Sequence, residues 1–288
     1  MKILFLTHFY YPHIGGVEKH VYEVKKSLER KGNSVKVISE ADIKYPKIKF
    51  IGLLYIWIWL FKNRKLIQKA DIIHIHDVFI WYLPFRFLYP NKKVFTTIHG
   101  LEWNNPLFKI SIWQKRLASK LSTKTVGVGH FLEKYLGIKF DLIIYGAAST
   151  QRSDISKNKN SFVYVGRLEK NTGLLKFLRW LKRNPKYKIG FCGDGELRKQ
   201  CEKFGNVHGF CDPTPFLKNA EYCVPGGYLA ALEGLSYKCK LKLFWSNKVK
   251  ENYWKMSPFV HSDVDSWARK QTWEKLANEY LNLYNNAK

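Results

Sequence analysis

Apolar positions along this chain keep two rhythms that take turns. Short runs with almost every position apolar, KILFLTH, SVKVISE, ADIIHIHD, KKVFTTIH, TKTVGVG and DLIIYGA, alternate with segments in which apolar residues recur every three or four positions. The first of these segments carries Val17, Val21, Val24 and Leu28, with charge between them and Gly32 placed to end a helix. A second helix is expected around Ile110 to Leu121. Strands apolar on both faces and separated by helices predict a parallel sheet covered on both sides. The rhythm stops at AASTQRSDISKNKNS, Ala147 to Ser161, which is polar and aperiodic and reads as a linker.

It then restarts. SFVYVG, YKIGFCG, NVHGF, AEYCV, KLKLFW and PFVHS are the expected strands of the second half. Helices are expected near Gly173 to Leu181, from about Glu196, and near Tyr228 to Tyr237. WARKQTWEKLANEYLNLY reads as one terminal helix with an apolar stripe of Trp267, Leu276, Tyr280 and Leu283. The pattern predicts two Rossmann-like α/β domains, 1–150 and 151–288, with the last helix free to return to the first domain. Ligands of such sheets bind where the strands end, so a cleft between two strand edges is expected.

Composition narrows the partners. Lys and Arg number 49 against 23 acidic residues, a formal charge of +26, which favours anionic partners without choosing among nucleotides, nucleic acid and lipid headgroups. Five cysteines, odd in number and without short paired spacing, argue against a disulfide framework and a zinc site. The opening MKILFLTH reads as a buried strand and not as a signal peptide. FIGLLYIWIWLF, Phe50 to Phe61, is the longest apolar run and is too short to span a bilayer, which takes roughly 20 residues. With Trp57 and Trp59 beside Lys62, Arg64 and Lys65, it suits an interfacial element at an anionic membrane surface, or else a core helix.

The chemistry-bearing residues follow strands. Gly15 and Gly16 lead from the first strand into the first helix, where free amides and the helix dipole suit a phosphate or a polar sugar. His74 and His76 share one face of ADIIHIHD, and His99 closes TTIHG. Gly166 and Arg167 follow FVYV, and the guanidinium fork suits bidentate phosphate contact, with Lys170 nearby. Asp194 and Glu196 of GDGE are placed to cap the following helix. Glu233 is the one acidic residue of GYLAALEGLSYK.

In order, FYYPHIGGVEKHV, DIIHIH, TIHG, YVGRL, GDGEL, LEGLS and TWEKLANEYLNLY resemble the nucleotide-sugar-dependent glycosyltransferases of family four, which have the two-Rossmann-domain GT-B fold. The resemblance implies retaining transfer of a sugar from a UDP- or GDP-linked donor, without an obligatory metal. It places Gly15 and Gly16 near donor phosphate and acceptor, His99 near the reacting sugar, Arg167 on the diphosphate and Glu233 on the ribose. His74 and His76 fall on the acceptor or sugar side. Two positions depart from the family pattern. Pro225 stands where the first of two glutamates belongs, which passes sugar recognition to the backbone amides around Gly226 and Gly227 or to another side chain. Thr172 stands where a lysine follows GRL, which leaves Lys170 to supply the charge. Both departures keep a weakly active or inactive donor-binding protein open.

The expectation is a glycosyltransferase at the cytoplasmic membrane face, acting on a lipid-linked or glycolipid acceptor. A nucleic-acid-binding protein is the main rival, supported by the charge and by 16% aromatic residues but lacking zinc-finger, KH or RNP patterns. HFYYPHIGG lacks the GxGxxG of a nicotinamide dehydrogenase.

Overall fold

The computed structural model describes residues 1–48, 50–101, 108–149 and 156–287, which form two compact units. The first comprises Met1–Ile144 and the C-terminal segment from Leu276; the second is Tyr145–Lys275.

The first unit is a six-stranded sheet in the order β2-β1-β3-β4-β5-β6, parallel at every pairing. Its strands are β1 (Lys2–Thr7), β2 (Ser34–Ile38), β3 (Ile72–His76), β4 (Lys93–Ile98), β5 (Lys124–Val128) and β6 (Leu142–Ile144). The central strands β1, β3 and β4 are buried along almost their whole length, as an unbroken apolar run requires. Helix α1 (Gly16–Arg30) buries Val21, Val24 and Leu28 on one face, and Gly32, at φ +77°, ends it in the left-handed conformation that glycine adopts freely.

After a single turn of helix, α2 (Glu40–Ile43), the long apolar run forms α3 (Ile51–Lys62). Only Gly52, Ile56 and Leu60 of α3 are fully buried, a narrow stripe at four-residue spacing. Gly52 is required there, because a Cβ would lie 2.5 Å from the Pro46 carbonyl oxygen. The expected membrane tryptophans turn inward: Trp57 donates its indole N–H to the Ile80 carbonyl at 3.0 Å, and Trp59 packs on the same core. The exposed apolar face is instead Phe50, Ile51, Leu54, Tyr55, Ile58 and Phe61, followed by exposed Lys62, Arg64 and Lys65. The unit continues through α4 (Lys65–Lys69), α5 (Phe79–Leu88), α6 (Phe108–Leu121) and α7 (Phe131–Leu136).

The second unit has five strands in the order β11-β10-β7-β8-β9, again all parallel. They are β7 (Asn158–Val165), β8 (Lys188–Cys192), β9 (Asn206–Val207), β10 (Ala220–Pro225) and β11 (Lys240–Leu241). The helices are α8 (Leu174–Lys182), α9 (Arg198–Cys201), α10 (Thr214–Asn219), α11 (Tyr228–Ser236), α12 (Lys248–Lys255) and α13 (Val264–Arg269), with α14 (Trp273–Asn285) running on into the first unit.

Four expectations need correction. Strand β7 starts at Asn158, inside the stretch read as linker, whose residues 150–155 lie outside the described set. KLKLFW pairs over two residues only. PFVHS is a 3-10 turn, Pro258–Val260, because proline pre-sets φ for a helical first position. The terminal segment is two helices: the Thr272 hydroxyl accepts from the Lys275 amide at 3.1 Å and starts α14 afresh. Its buried face includes Trp273, Ala277 and Tyr284, with Leu283 only half-buried.

Candidate functional site

In the first unit the strand ends gather four histidines. His74 is fully buried, with Nδ1 bonded to the Tyr284 hydroxyl and Nε2 2.7 Å from Thr97 Oγ1. Thr97 Oγ1 is 3.1 Å from the Tyr280 hydroxyl, which is 3.0 Å from His20 Nε2. Both partners of His74 are side chains of the core, so it is a satisfied interior histidine and is removed from the acceptor side. His76 stacks on it at 4.6 Å, and His76 Nδ1 is 3.0 Å from His99 Nε2. Burial holds His20, His74 and His76 well below the usual histidine range. His99 is half-buried, and burial together with the Lys115 charge pulls it down to about 3. All four rings are therefore neutral near pH 7 and act as hydrogen-bonding groups.

His99 is set in place by a residue that pattern reading passed over. Asp77, at φ +62°, turns the chain at the end of β3; its carboxylate accepts the His99 backbone N–H at 3.1 Å and lies 3.8 Å from Lys115 Nζ. The signal was present in the final letter of ADIIHIHD. His76 Nε2 is buried and has no hydrogen-bond partner among the described residues. His20, His76 and His99 offer nitrogens within 4.8 Å of one another, a spacing from which a divalent ion could be held.

The glycine pair differs from expectation in what it faces. Gly15 is extended, at φ −172° and ψ 176°, so its use is space and not backbone freedom. The Glu18 carboxylate folds back to it, 2.2 Å from where a Cβ would lie, and is 2.6 Å from His13 Nδ1. The start of α1 thus carries a buried carboxylate of its own, paired with His13.

In the second unit, β7, β8 and β10 end together. Gly166, at φ +149°, and Gly226 approach so closely that a Cβ on either would sit 2.9 Å or 3.0 Å from the other's Cα. Gly227 caps α11, and the Tyr253 hydroxyl accepts the Tyr228 amide at 2.7 Å. Arg167 is exposed and paired with Glu169 at 3.1 Å. Lys170 is exposed and lies 3.5 Å from Glu196. Glu233 is half-buried on α11.

Asp194 and Glu196 do not cap α9. The Asp194 carboxylate takes Arg198, the first residue of α9, at 2.7 Å, and Glu196 accepts the Lys170 amide at 3.1 Å, which braces the loop after β7. Thr172 is buried and donates to the Glu169 carbonyl at 2.7 Å, a loop-closing role. Lys250, on α12, is 6% exposed; its Nζ donates to the Gly226 carbonyl at 2.9 Å and lies 3.8 Å from the centre of the Tyr253 ring. Burial, reinforced by the charge of Arg167, brings it down to about 7.

Against solved structures, HepE from Anabaena, in complex with UDP and glucose, matches 97% of this chain and 95% of its own at TM-score 0.65 and 12% identity. The chain has the GT-B fold. TarM from S. aureus matches at TM-score 0.58 and 14% identity over 82% of this chain, which spans 59% of TarM. The UDP-GlcNAc 2-epimerase of Methanocaldococcus jannaschii matches 98% of the chain at TM-score 0.52 and 12% identity. The GT-B fold alone therefore does not choose between transfer and epimerisation. The family model for Glycosyltransferase Family 4 matches residues 14–141, less than half the chain. No curated protein sequence matches.

Proposed function

We propose that this protein is a retaining glycosyltransferase that moves a sugar from a UDP- or GDP-linked donor to a hydroxyl acceptor, lipid-linked or glycolipid, at the cytoplasmic face of a membrane. The observation that carries the reading is the Glycosyltransferase Family 4 match over residues 14–141, which spans Gly15, Gly16, His76, Asp77 and His99. The exposed apolar face of α3, with its three following cations, supports the membrane acceptor.

In this reading the bond between the sugar's anomeric carbon and the donor phosphate oxygen breaks, and the acceptor oxygen bonds to that carbon on the same face. The acceptor's proton passes to the departing phosphate, so no protein nucleophile is required. Arg167 leaves Glu169 to oppose charge on the diphosphate. Neutral His99, held by Asp77, hydrogen-bonds the reacting sugar, and Glu233 takes the ribose hydroxyls. The backbone of Gly226 and Gly227 meets the sugar hydroxyls, since Pro225 offers them no carboxylate. No metal is needed for these steps.

The experiment is a panel of UDP-, GDP- and ADP-sugars, with nucleotide release and the stereochemistry of the sugar product both read. Nucleotide release with retention at the anomeric carbon is expected. Arg167→Ala should lower donor turnover by about 30-fold or more while the fold survives. Epimerised nucleotide sugar with no transfer, or full turnover in the folded variant, would refute the respective assignment.

A further inference from the structure

With Thr172 in place of the lysine that the family resemblance implies, a donor diphosphate would be short of one cation, and the second unit holds an unexplained cation beside Gly226. Among the described residues, no carboxylate lies within ion-pair distance of Lys250. An ammonium withdrawn from water is costly unless an anion faces it. One carbonyl and the faces of Tyr253 and Trp254 are what Lys250 has. Two of its three N–H donors remain for another partner. Thr172 is closed on the Glu169 carbonyl, and Lys170, exposed beside Glu196, is already solvated and leaves no buried charge to explain.

We propose that Lys250 is the second diphosphate-binding cation of this protein, taking beside Arg167 and the Gly226–Gly227 backbone the place that the family pattern gives to the residue at Thr172. The assignment rests on the nucleotide-sugar reading for its natural ligand, but its chemistry is that of any diphosphate. Three features converge on it. The lysine is fixed to the carbonyl of Gly226, the residue that opens the turn into α11. That turn is glycine at two positions, so no Cβ stands over its backbone. Arg167 is close enough for its charge to act on Lys250.

A proton linkage follows. The charged groups around Lys250 are Arg167 and, on its own helix, Glu251, which is engaged by Lys248 at 3.1 Å and Lys255 at 2.7 Å. The neighbouring hydroxyls of Tyr228 and Tyr253 are both pushed up by burial and stay neutral. Since Lys250 is held down to about 7 in the empty protein, a bound diphosphate raises it, and above pH 7 the amine takes a proton from solvent on binding.

Titration calorimetry of the whole chain with inorganic pyrophosphate and with UDP, at pH 6 and pH 8 in buffers of different ionisation enthalpy, tests this. Proton uptake is expected at pH 8 and little at pH 6. Lys250→Met should weaken pyrophosphate by about 30-fold or more and abolish the uptake, with a melting temperature no lower than the parent's. Lys250→Arg should bind pyrophosphate without uptake, which decides the matter should the methionine variant fail to fold. No pyrophosphate binding by the parent, unchanged affinity in Lys250→Met, or uptake persisting in Lys250→Arg would overturn the proposal. Pyrophosphate held through Lys250 with no nucleotide sugar consumed would refute the transferase reading alone. Normal sugar consumption with pyrophosphate affinity untouched in Lys250→Met would refute this inference alone.

Discussion

His74 illustrates how a residue's chemistry is decided by its partners. With Tyr284 on one ring nitrogen and Thr97 on the other, its imidazole is saturated inside the first unit. His20 and His76 are equally buried, and all three are held well below 6.5. The unfolded chain protonates these rings near pH 6.5 while the folded protein does not. Folded-state values that are depressed for a base mean that stability is fully present above pH 6.5 and is lost as pH falls below it. Each ring contributes about 1.4 kcal/mol per pH unit in that window. Urea unfolding at pH 7.5, 6.5 and 5.5 should show a shallow decline over the upper interval and a steeper fall below; equal midpoints at 6.5 and 5.5 would contradict the assignment. Two-residue spacing was enough to put His74 and His76 on one face of β3. What separates them is the identity of residues more than 200 positions away, which no local pattern contains.

Helix α3 shows the same limit one level up. That the run from Phe50 would be a helix was legible from its length and composition, yet its orientation was not, because a run apolar nearly all round has no face to read. Packing settled it through Gly52, the smallest residue at the closest approach, and through the indole N–H of Trp57, which found a carbonyl. The two tryptophans consequently stabilise the unit, while Leu54, Tyr55, Ile58 and Phe61 are the apolar residues left exposed on this helix. Among the described residues no helix is long and apolar enough to cross a membrane. Co-sedimentation with anionic liposomes should be abolished on changing Leu54 and Ile58 to serine, and should weaken with salt as charge from Lys62, Arg64 and Lys65 is screened. Binding that survives the double replacement would move the membrane-facing surface elsewhere. The same reasoning accounts for the short pairings of β9 and β11 and for the restart at α14: edges and caps depend on single hydrogen bonds, whereas central strands announce themselves by burial on both faces.

Over the molecule as a whole, the alternation of apolar runs with helical spacing made both parallel sheets legible, the strand-end rule directed attention to His99 and Arg167, and Gly226 entered only through the family resemblance. Asp77 and Lys250 escaped because each acts through a contact that sequence spacing does not encode: a carboxylate turned back on a backbone amide, and an amine on a helix whose face is set by tertiary packing. The path of the chain carries a further consequence. It leaves the first unit after Ile144, builds the whole of the second, and returns at Leu276 to deliver Tyr280 and Tyr284 to His20, Thr97 and His74. On the ribosome, those two tyrosines are therefore translated after every strand of both sheets. Until they emerge, the nascent first unit must leave His20 Nε2 and His74 Nδ1 without these hydroxyls, whereas the second unit has all of its strands available and can close ahead of it. A fragment ending at Ile144 should then remain loosely packed, with poor amide-exchange protection in β3 and β4, and should gain protection when a peptide covering residues 273–287 is added. Full protection in the fragment alone would mean that the first unit closes without its last helix, and that the order of synthesis leaves no mark on how this protein folds.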